Sequence, residues 1–258
     1  MILACDIGNT RIKFALYDTS GLLRELKISS RGLLPLEWFR RHSEIKQVAI
    51  SSVVPSVTLE LREFFLREFK IDPFVITHES RFNLKIDYET PHSLGIDRIC
   101  SAEGAFSIFR ASEEEFKSYS DKTFIITVDL GTATTVNVVK YNGVFSGGII
   151  MPGMSTMANS LKVNTAQLPH ISIENDYKSF IGKNTRSSIA SGILNSTLSL
   201  IESSICYLEN EFGAKTVKLY TTGGNAPLIE HHLKHEHLLV EDLVLRGVKS
   251  VFERNVSD

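Results

Sequence analysis

One short word occurs twice in this chain, 123 residues apart: Asp6-Ile7-Gly8-Asn9-Thr10, then Asp129-Leu130-Gly131-Thr132-Ala133-Thr134-Thr135. Each copy follows an apolar run (Ile2-Leu3-Ala4-Cys5; Phe124-Ile125-Ile126-Thr127-Val128) and leads into a second, alternating run. Apolar strand, Asp-x-Gly-polar turn and strand describe a β-hairpin whose tip holds a carboxylate, a glycine and hydroxyls. Such a tip can donate backbone N–H groups to a phosphate while the Asp faces a hydrated cation. Two of them predict a duplicated architecture that grips one nucleotide from both sides.

The chain is long enough for two cores: 258 residues, 43% hydrophobic and 22% charged. A net charge of −2 gives no electrostatic footprint for nucleic acid or an anionic membrane. The one basic cluster, Arg24-Glu25-Leu26-Lys27 with Arg31, is diluted by acidic neighbours. Cys5, Cys100 and Cys206 are scattered without metal-ligand spacing, as expected of buried thiols in a reducing compartment. The N-terminus lacks a basic region, Asp6 interrupts its apolar run, and no stretch nears about 18 uninterrupted apolar residues. The expectation is a soluble, cytoplasmic protein with neither nucleic acid nor membrane as partner.

The pattern along the chain repeats. The first half reads as strands Met1–Asp6, Arg11–Tyr17 and Leu22–Ile28, a helix at Leu36–Arg41 and a strand Gln47–Val53 ended by Pro55. Helix Val57–Phe69, strand Phe74–Thr77 and helix Leu94–Phe109 follow, the last with its apolar residues on one side. Ser112–Lys122 reads as a solvated connector. The second half restarts with Phe124–Asp129 and Thr134–Tyr141, an Asn142-Gly143 turn and Val144–Ile150. Helices Ser155–Ala166 and Ser187–Phe212, strand Val217–Thr222 and a terminal helix near Val240–Glu253 complete it. Two α/β domains of similar topology, 1–115 and 116–258, are therefore predicted to face each other across a cleft.

Several motifs bear on chemistry. In Asp6 to Lys13, Gly8 permits close backbone approach, Asn9 and Thr10 offer donors, and Lys13 can reach a terminal phosphate. A bland hairpin would explain that turn alone, but the second copy, rich in small and hydroxyl residues, favours a phosphate cradle. Gly147-Gly148 and Gly223-Gly224 can let backbone lie flat against a nucleoside, or can serve as a bulge and a helix-entry turn. In Gly95-Ile96-Asp97-Arg98, Asp97 can accept a proton and Arg98 can pair with an anion; an Asp placed for the helix dipole beside a surface Arg is the plain alternative. His231, His232, His235 and His237 lack acidic or cysteine partners at ligand spacing and read as a polar helical surface.

Taken in order, these motifs resemble the type III pantothenate kinases, a branch of the acetate kinase, sugar kinase, chaperone ATPase and actin superfamily. The motifs are Asp-x-Gly-Asn-Thr with Lys13, Gly-x-Asp-Arg, Asp-x-Gly-Thr-Ala-Thr-Thr, Gly-Gly-x-Ile-x-Pro-Gly and Thr-Gly-Gly, and the likeness spans nearly the whole chain. The resemblance implies two similar ribonuclease H-like, actin-like α/β domains with mixed five-stranded sheets flanking a nucleotide cleft. The N-terminal half would hold the first phosphate loop and the pantothenate motif; the C-terminal half would hold the second loop, the cation and adenosine sites and a dimer face. It implies phosphorylation of the primary hydroxyl of pantothenate by ATP with Mg²⁺, the first step toward coenzyme A, by a homodimer. Asp6, Ile7, Gly8, Asn9, Thr10, Arg11, Ile12 and Lys13 match the first phosphate loop, and Thr132 an ATP contact. Asp97 takes the place of the general base within Gly95, Ile96, Asp97 and Arg98, the last holding the substrate carboxylate. Asp129 matches the position of a monovalent cation, K⁺ or NH₄⁺; Thr185 matches a substrate contact supplied across the dimer, and Tyr88 one at the pantothenate pocket. A kinase for another small hydroxy acid or sugar, a nucleotide-binding transcriptional accessory protein and an actin-like filament former are the competing readings. The intact Asp97-Arg98 pair speaks against the regulator, and the short chain against the filament.

Overall fold

Alternation along β1 (Ile2–Ile7) sorts its side chains onto two faces: Leu3, Cys5 and Ile7 enter one core, while Ala4 and Asp6 turn to the other face. The computed structural model describes residues 1–30, 32–111 and 119–256, so most of the connector expected at Ser112–Lys122 lies outside the described residues. After β1 come β2 (Arg11–Tyr17), β3 (Leu23–Ser30), α1 (Leu36–Arg41), β4 (Gln47–Ser52), α2 (Pro55–Glu68), β5 (Phe74–Val75), β6 (Lys85–Ile86) and α3 (Ile96–Arg110). β1 pairs antiparallel with β2 and parallel with β4, giving the sheet order β3-β2-β1-β4-β5. Leu3, Cys5, Ile7, Ile12, Phe14 and Leu16 meet Phe39 of α1 and Leu61, Phe64 and Phe65 of α2. Pro55 does more than end a strand: it is the first residue of α2, where its missing N–H has no partner to lose.

On the opposite face, α3 and the C-terminal helix Leu243–Val256 pack on β1 and β4. The two helices cross at paired glycines. A Cβ on Gly104 would overlap the Leu243 carbonyl, and one on Gly247 would overlap the Cys100 carbonyl. α3 is therefore buried on nearly all sides, Arg98, Ser101 and Glu103 included, rather than along the single apolar face that its spacing predicts.

The second half contributes β7 (Thr123–Leu130), β8 (Ala133–Lys140), β9 (Val144–Pro152), α4 (Met154–Asn164), α5 (Ile173–Asp176), α6 (Thr185–Phe212), β10 (Thr216–Thr222), α7 (Ala226–Ile229) and β11 (His237–Leu239). Its strands run β11-β10-β7-β8-β9, with β7–β8 antiparallel and β7–β10 and β10–β11 parallel. That is the first sheet's order over again. Lys85 and Ile86 form β6 by pairing with Val144 and Phe145 at the start of β9, so this sheet counts six strands where five are expected. Gly143 has φ +83°, as the Asn142-Gly143 hairpin turn requires.

α6 opens on a capping box between Asn184 and Ser187 and ends on left-handed Gly213. By length and composition it could cross a membrane, yet Ala190, Ile193, Leu194, Thr197, Ile201, Ile205 and Leu208 are buried in the second core at helical spacing. The histidine-rich segment is a turn leading into β11 rather than a helix: His235 Nε2 meets the Val217 carbonyl oxygen at 3.1 Å, and His232 packs edge-on to Tyr177. Two compact units result: Met1–Phe116 with Gly143–Phe145 and Asp242–Asp258, and Lys117–Asn142 with Ser146–Glu241.

Candidate active site

The first turn is set by strand register. Asp6 sits opposite Lys13 and Ile7 opposite Ile12, and the Gly8 N–H donates to the Arg11 carbonyl at 3.1 Å. Ile7 and Ile12 are buried in the core and anchor the hairpin, whereas Asn9, Thr10 and Arg11 are exposed. Asp6 and Lys13 are half-buried, and Asp6 is level with Ser51 on the parallel neighbour β4. A backbone loop with a cation one step back on the strand is a workable anion seat.

α3 packs on β4, the parallel neighbour of β1. Gly95 is its N-cap, and a Cβ there would overlap the Asp97 Oδ1, so only glycine lets that carboxylate fold back over the helix start. Asp97 Oδ1 accepts the Arg98 N–H at 2.9 Å. Ile96 is 7% exposed and pins the first turn. Desolvation, and then the charges of Asp6, Glu103 and Asp97, push the buried Cys100 thiol upward. His78 Nε2 lies 2.8 Å from the Leu94 carbonyl oxygen and, as the N–H tautomer, holds the residue just before Gly95.

Arg98 is the most informative side chain. It is only 6% exposed, and its guanidinium lies 6.0 Å from the Tyr88 ring centroid and 5.8 Å from that of Phe145. The two rings meet edge to face at 6.2 Å. Arginine is rarely buried unless its charge is matched, and a guanidinium against aromatic faces is oriented as well as desolvated. Tyr88, Gly95, Ile96, Asp97 and Arg98 thus form one cluster, joined by Phe145 and His78. Phe145 and His78 have no motif to announce them; only pairing of β6 with β9 and the path of the segment after β5 bring them in.

In the second unit, Asp129 faces Thr135 across β7 and β8, and the Gly131 N–H closes the turn onto the Ala133 carbonyl at 3.0 Å. Two glycine motifs fold onto this turn. The Thr132 carbonyl accepts the Gly153 N–H at 2.9 Å and the Thr156 hydroxyl at 2.7 Å, while Thr132 itself is exposed. A Cβ on Gly223 (φ +97°) would stand 2.5 Å from Asp129 Oδ1, and the Asn225 N–H donates to the Leu130 carbonyl at 3.0 Å. Thr185 is exposed at the first position of α6. Among the described residues no group of three or more His, Cys, Asp or Glu side chains could hold a metal ion.

Known proteins share this arrangement of chain. Residues 2–206 match the family model for type III pantothenate kinase. A type III pantothenate kinase from Sulfurihydrogenibium is 32% identical over 96% of this chain and 98% of its own, and one from Citrifermentans bemidjiense 31% over 99% and 100%. Among solved structures, a Campylobacter jejuni protein named as a Baf family transcriptional activator superposes with a TM-score of 0.60 at 20% identity over 98% of both chains. The activator of 2-hydroxyisocaproyl-CoA dehydratase from Clostridium difficile reaches 0.50 at 13% identity over 98% of this chain and 94% of its own. These structural likenesses bear on the fold alone. A doubled β3-β2-β1-β4-β5 sheet, a Gly-Ile-Asp-Arg helix start and a match over four-fifths of the chain come together in one conclusion: the chain belongs to the type III pantothenate kinase family.

Proposed function

We propose that this protein transfers the γ-phosphoryl group of ATP to the primary hydroxyl of pantothenate, the first step of coenzyme A biosynthesis. The observation that carries the reading is the buried Arg98 held against Tyr88 and Phe145, one residue from Asp97. Pantothenate has a carboxylate at one end and a primary hydroxyl at the other. Arg98 takes the carboxylate as a two-pronged partner, with Tyr88 and Phe145 closing the sides. Asp97 holds the hydroxyl and accepts its proton as the new O–P bond forms and the bond from Pγ to the ADP oxygen breaks. A strong base is not required, because phosphoryl transfer rests mostly on positioning and charge neutralisation.

The Gly8–Asn9–Thr10 turn and Lys13 cradle the phosphates, with Asp6, Ile7, Arg11 and Ile12 fixing the turn, and Thr132 contacts the nucleotide. Mg²⁺ on the nucleotide and a monovalent cation at Asp129 would supply charge neutralisation when bound. The fit of Asp129 rests on the glycine cradle of Gly223; turnover that is equal in potassium and in tetramethylammonium chloride would dismiss that cation.

A homodimer in the cytoplasm completes the proposal, with Thr185 of each copy offered to the other's substrate. Exposed Phe180, Ile181, Tyr207 and Phe212, on or beside α6, give it an apolar face. A monomer by sedimentation equilibrium at micromolar concentration would refute the dimer. Pantothenate-dependent release of ADP tests the activity itself; binding of ATP without such turnover would point to a regulator built on the same fold.

A further inference from the structure

Among the described residues Glu103 is the one carboxylate at 0% exposure, and no part of the chemistry above uses it. It lies on α3, five residues after Arg98. Its Oε1 accepts the Leu84 backbone N–H at 2.8 Å, and its Oε2 accepts the Asn83 side-chain amide at 3.1 Å. The same amide lies 3.1 Å from the Ser250 hydroxyl on the C-terminal helix. Leu84 and Asn83 belong to a strap that runs directly into β6 and then Tyr88. Upstream, Asn255 holds Arg81 through a pair of bonds of 3.0 and 2.8 Å, and Arg254 donates to the Phe82 carbonyl at 3.0 Å. Downstream, Lys85 and Asp87 donate to Gly143 and Phe145 at 2.8 and 3.0 Å.

We infer that Glu103 is a positioning residue for the acid-binding pocket: it rivets the Asn83–Leu84 strap to α3 and so fixes Tyr88 against Arg98. The two rings that flank Arg98 arrive on this strap and on the strand it pairs with, while Arg98 comes from α3. From α3, Glu103 reaches the strap at its backbone, through the Leu84 N–H. Burying a carboxyl costs free energy that its two hydrogen bonds offset only in part, while an apolar residue here would orphan the buried Leu84 N–H and release the strap. Burial accordingly pushes the Glu103 carboxyl upward, against the pull of the Leu84 and Asn83 donors. Oriented acceptors matter more to this role than charge, so an amide at 103 should serve: Gln can take the Leu84 N–H, and Asn83 can turn its amide to match.

The proposal rests on the pantothenate reading only for the identity of the acid. The test pairs kinetics with amide hydrogen exchange, which needs no substrate. In Glu103→Leu the KM for pantothenate should rise about tenfold, with kcat and the KM for ATP within about twofold, and amides 84–88 should exchange about tenfold faster while those of the β1–β2 hairpin do not change. Glu103→Gln should restore both readouts. If Glu103→Leu does not fold, Asn83→Ala, at a half-buried site, should show the same split at smaller size. An unchanged KM with unchanged exchange, a loss confined to kcat, or failure of Gln to rescue would overturn the role. If the wild type instead takes a different hydroxy acid, the KM split is read on that acid, and the exchange result still decides the positioning.

Discussion

The crossing of α3 with the C-terminal helix makes a prediction of sign. Gly247→Ala would ordinarily help, since alanine in a helix is worth about 1 kcal/mol over glycine. Here the new Cβ would run into the Cys100 carbonyl and crowd its Cα, and both partners are backbone. No rotamer can relieve that overlap; the helices must part. Overpacking of a tight core costs about 1–3 kcal/mol, and a backbone clash belongs at or beyond the upper end, so a net loss of about 2 kcal/mol is expected. For a chain of this size that lowers the melting temperature by roughly 4–8 °C. Gly192→Ala is the control: it is exposed in the middle of α6, nothing lies within 4 Å of its added Cβ, and a gain of about 0.5–1 kcal/mol is expected. The single tryptophan, Trp38, packs against the first unit's core and reports its unfolding in urea, while far-UV circular dichroism follows both units together. A Gly247→Ala protein as stable as the wild type, by Trp38 fluorescence, would refute the close crossing and with it the account of how α3 is held.

Two further outcomes are expected. Arg98→Lys keeps a positive charge but loses the planar fork and its stacking on Tyr88 and Phe145, so the KM for pantothenate should rise at least tenfold while that for ATP holds; equal KM values in the two proteins would show that Arg98 does not carry the carboxylate. The Asp18 carboxyl is lowered to about 2 by the Ser20 hydroxyl, the Leu22 N–H and Arg24, against a usual value near 3.8. Because the folded value is the lower one, its stabilisation is present above about pH 4 and fades as pH falls toward 2. Urea midpoints of the wild type and Asp18→Asn should therefore converge over that interval, and a gap that ignores pH would contradict the turn's hydrogen bonding.

Much of this was legible in the residues, for reasons that can be named. Both hairpins were readable because an apolar run, an Asp-x-Gly turn and a second run are local features, and the paired order of the sheets follows from their repetition. α3 was readable as a helix but not as a buried one: Arg98, Ser101 and Glu103 break its apolar face, and only the glycine crossing, between residues 143 positions apart, shows why they are covered. β6 and β11, two and three residues long, are too short to show a period. The histidines of the last turn follow loop geometry that polar composition does not encode. Phe145 reaches the Arg98 region through the pairing of β6 with β9, and His78 the Gly95 region through a bond to the Leu94 carbonyl, neither of which any spacing announces. Asp97 and Arg98 stood out in the sequence; what places Arg98 against aromatic rings did not.

The central claim is that Asp97 and Arg98 decide which molecule receives the phosphate. Steady-state ADP release by the wild type and Asp97→Asn, with and without pantothenate, tests it together with ATP affinity by titration. Turnover should require pantothenate, and Asp97→Asn should lower kcat by about 10²-fold or more with the ATP dissociation constant within about twofold. Near-normal turnover by Asp97→Asn, or wild-type turnover indifferent to pantothenate, would contradict the account.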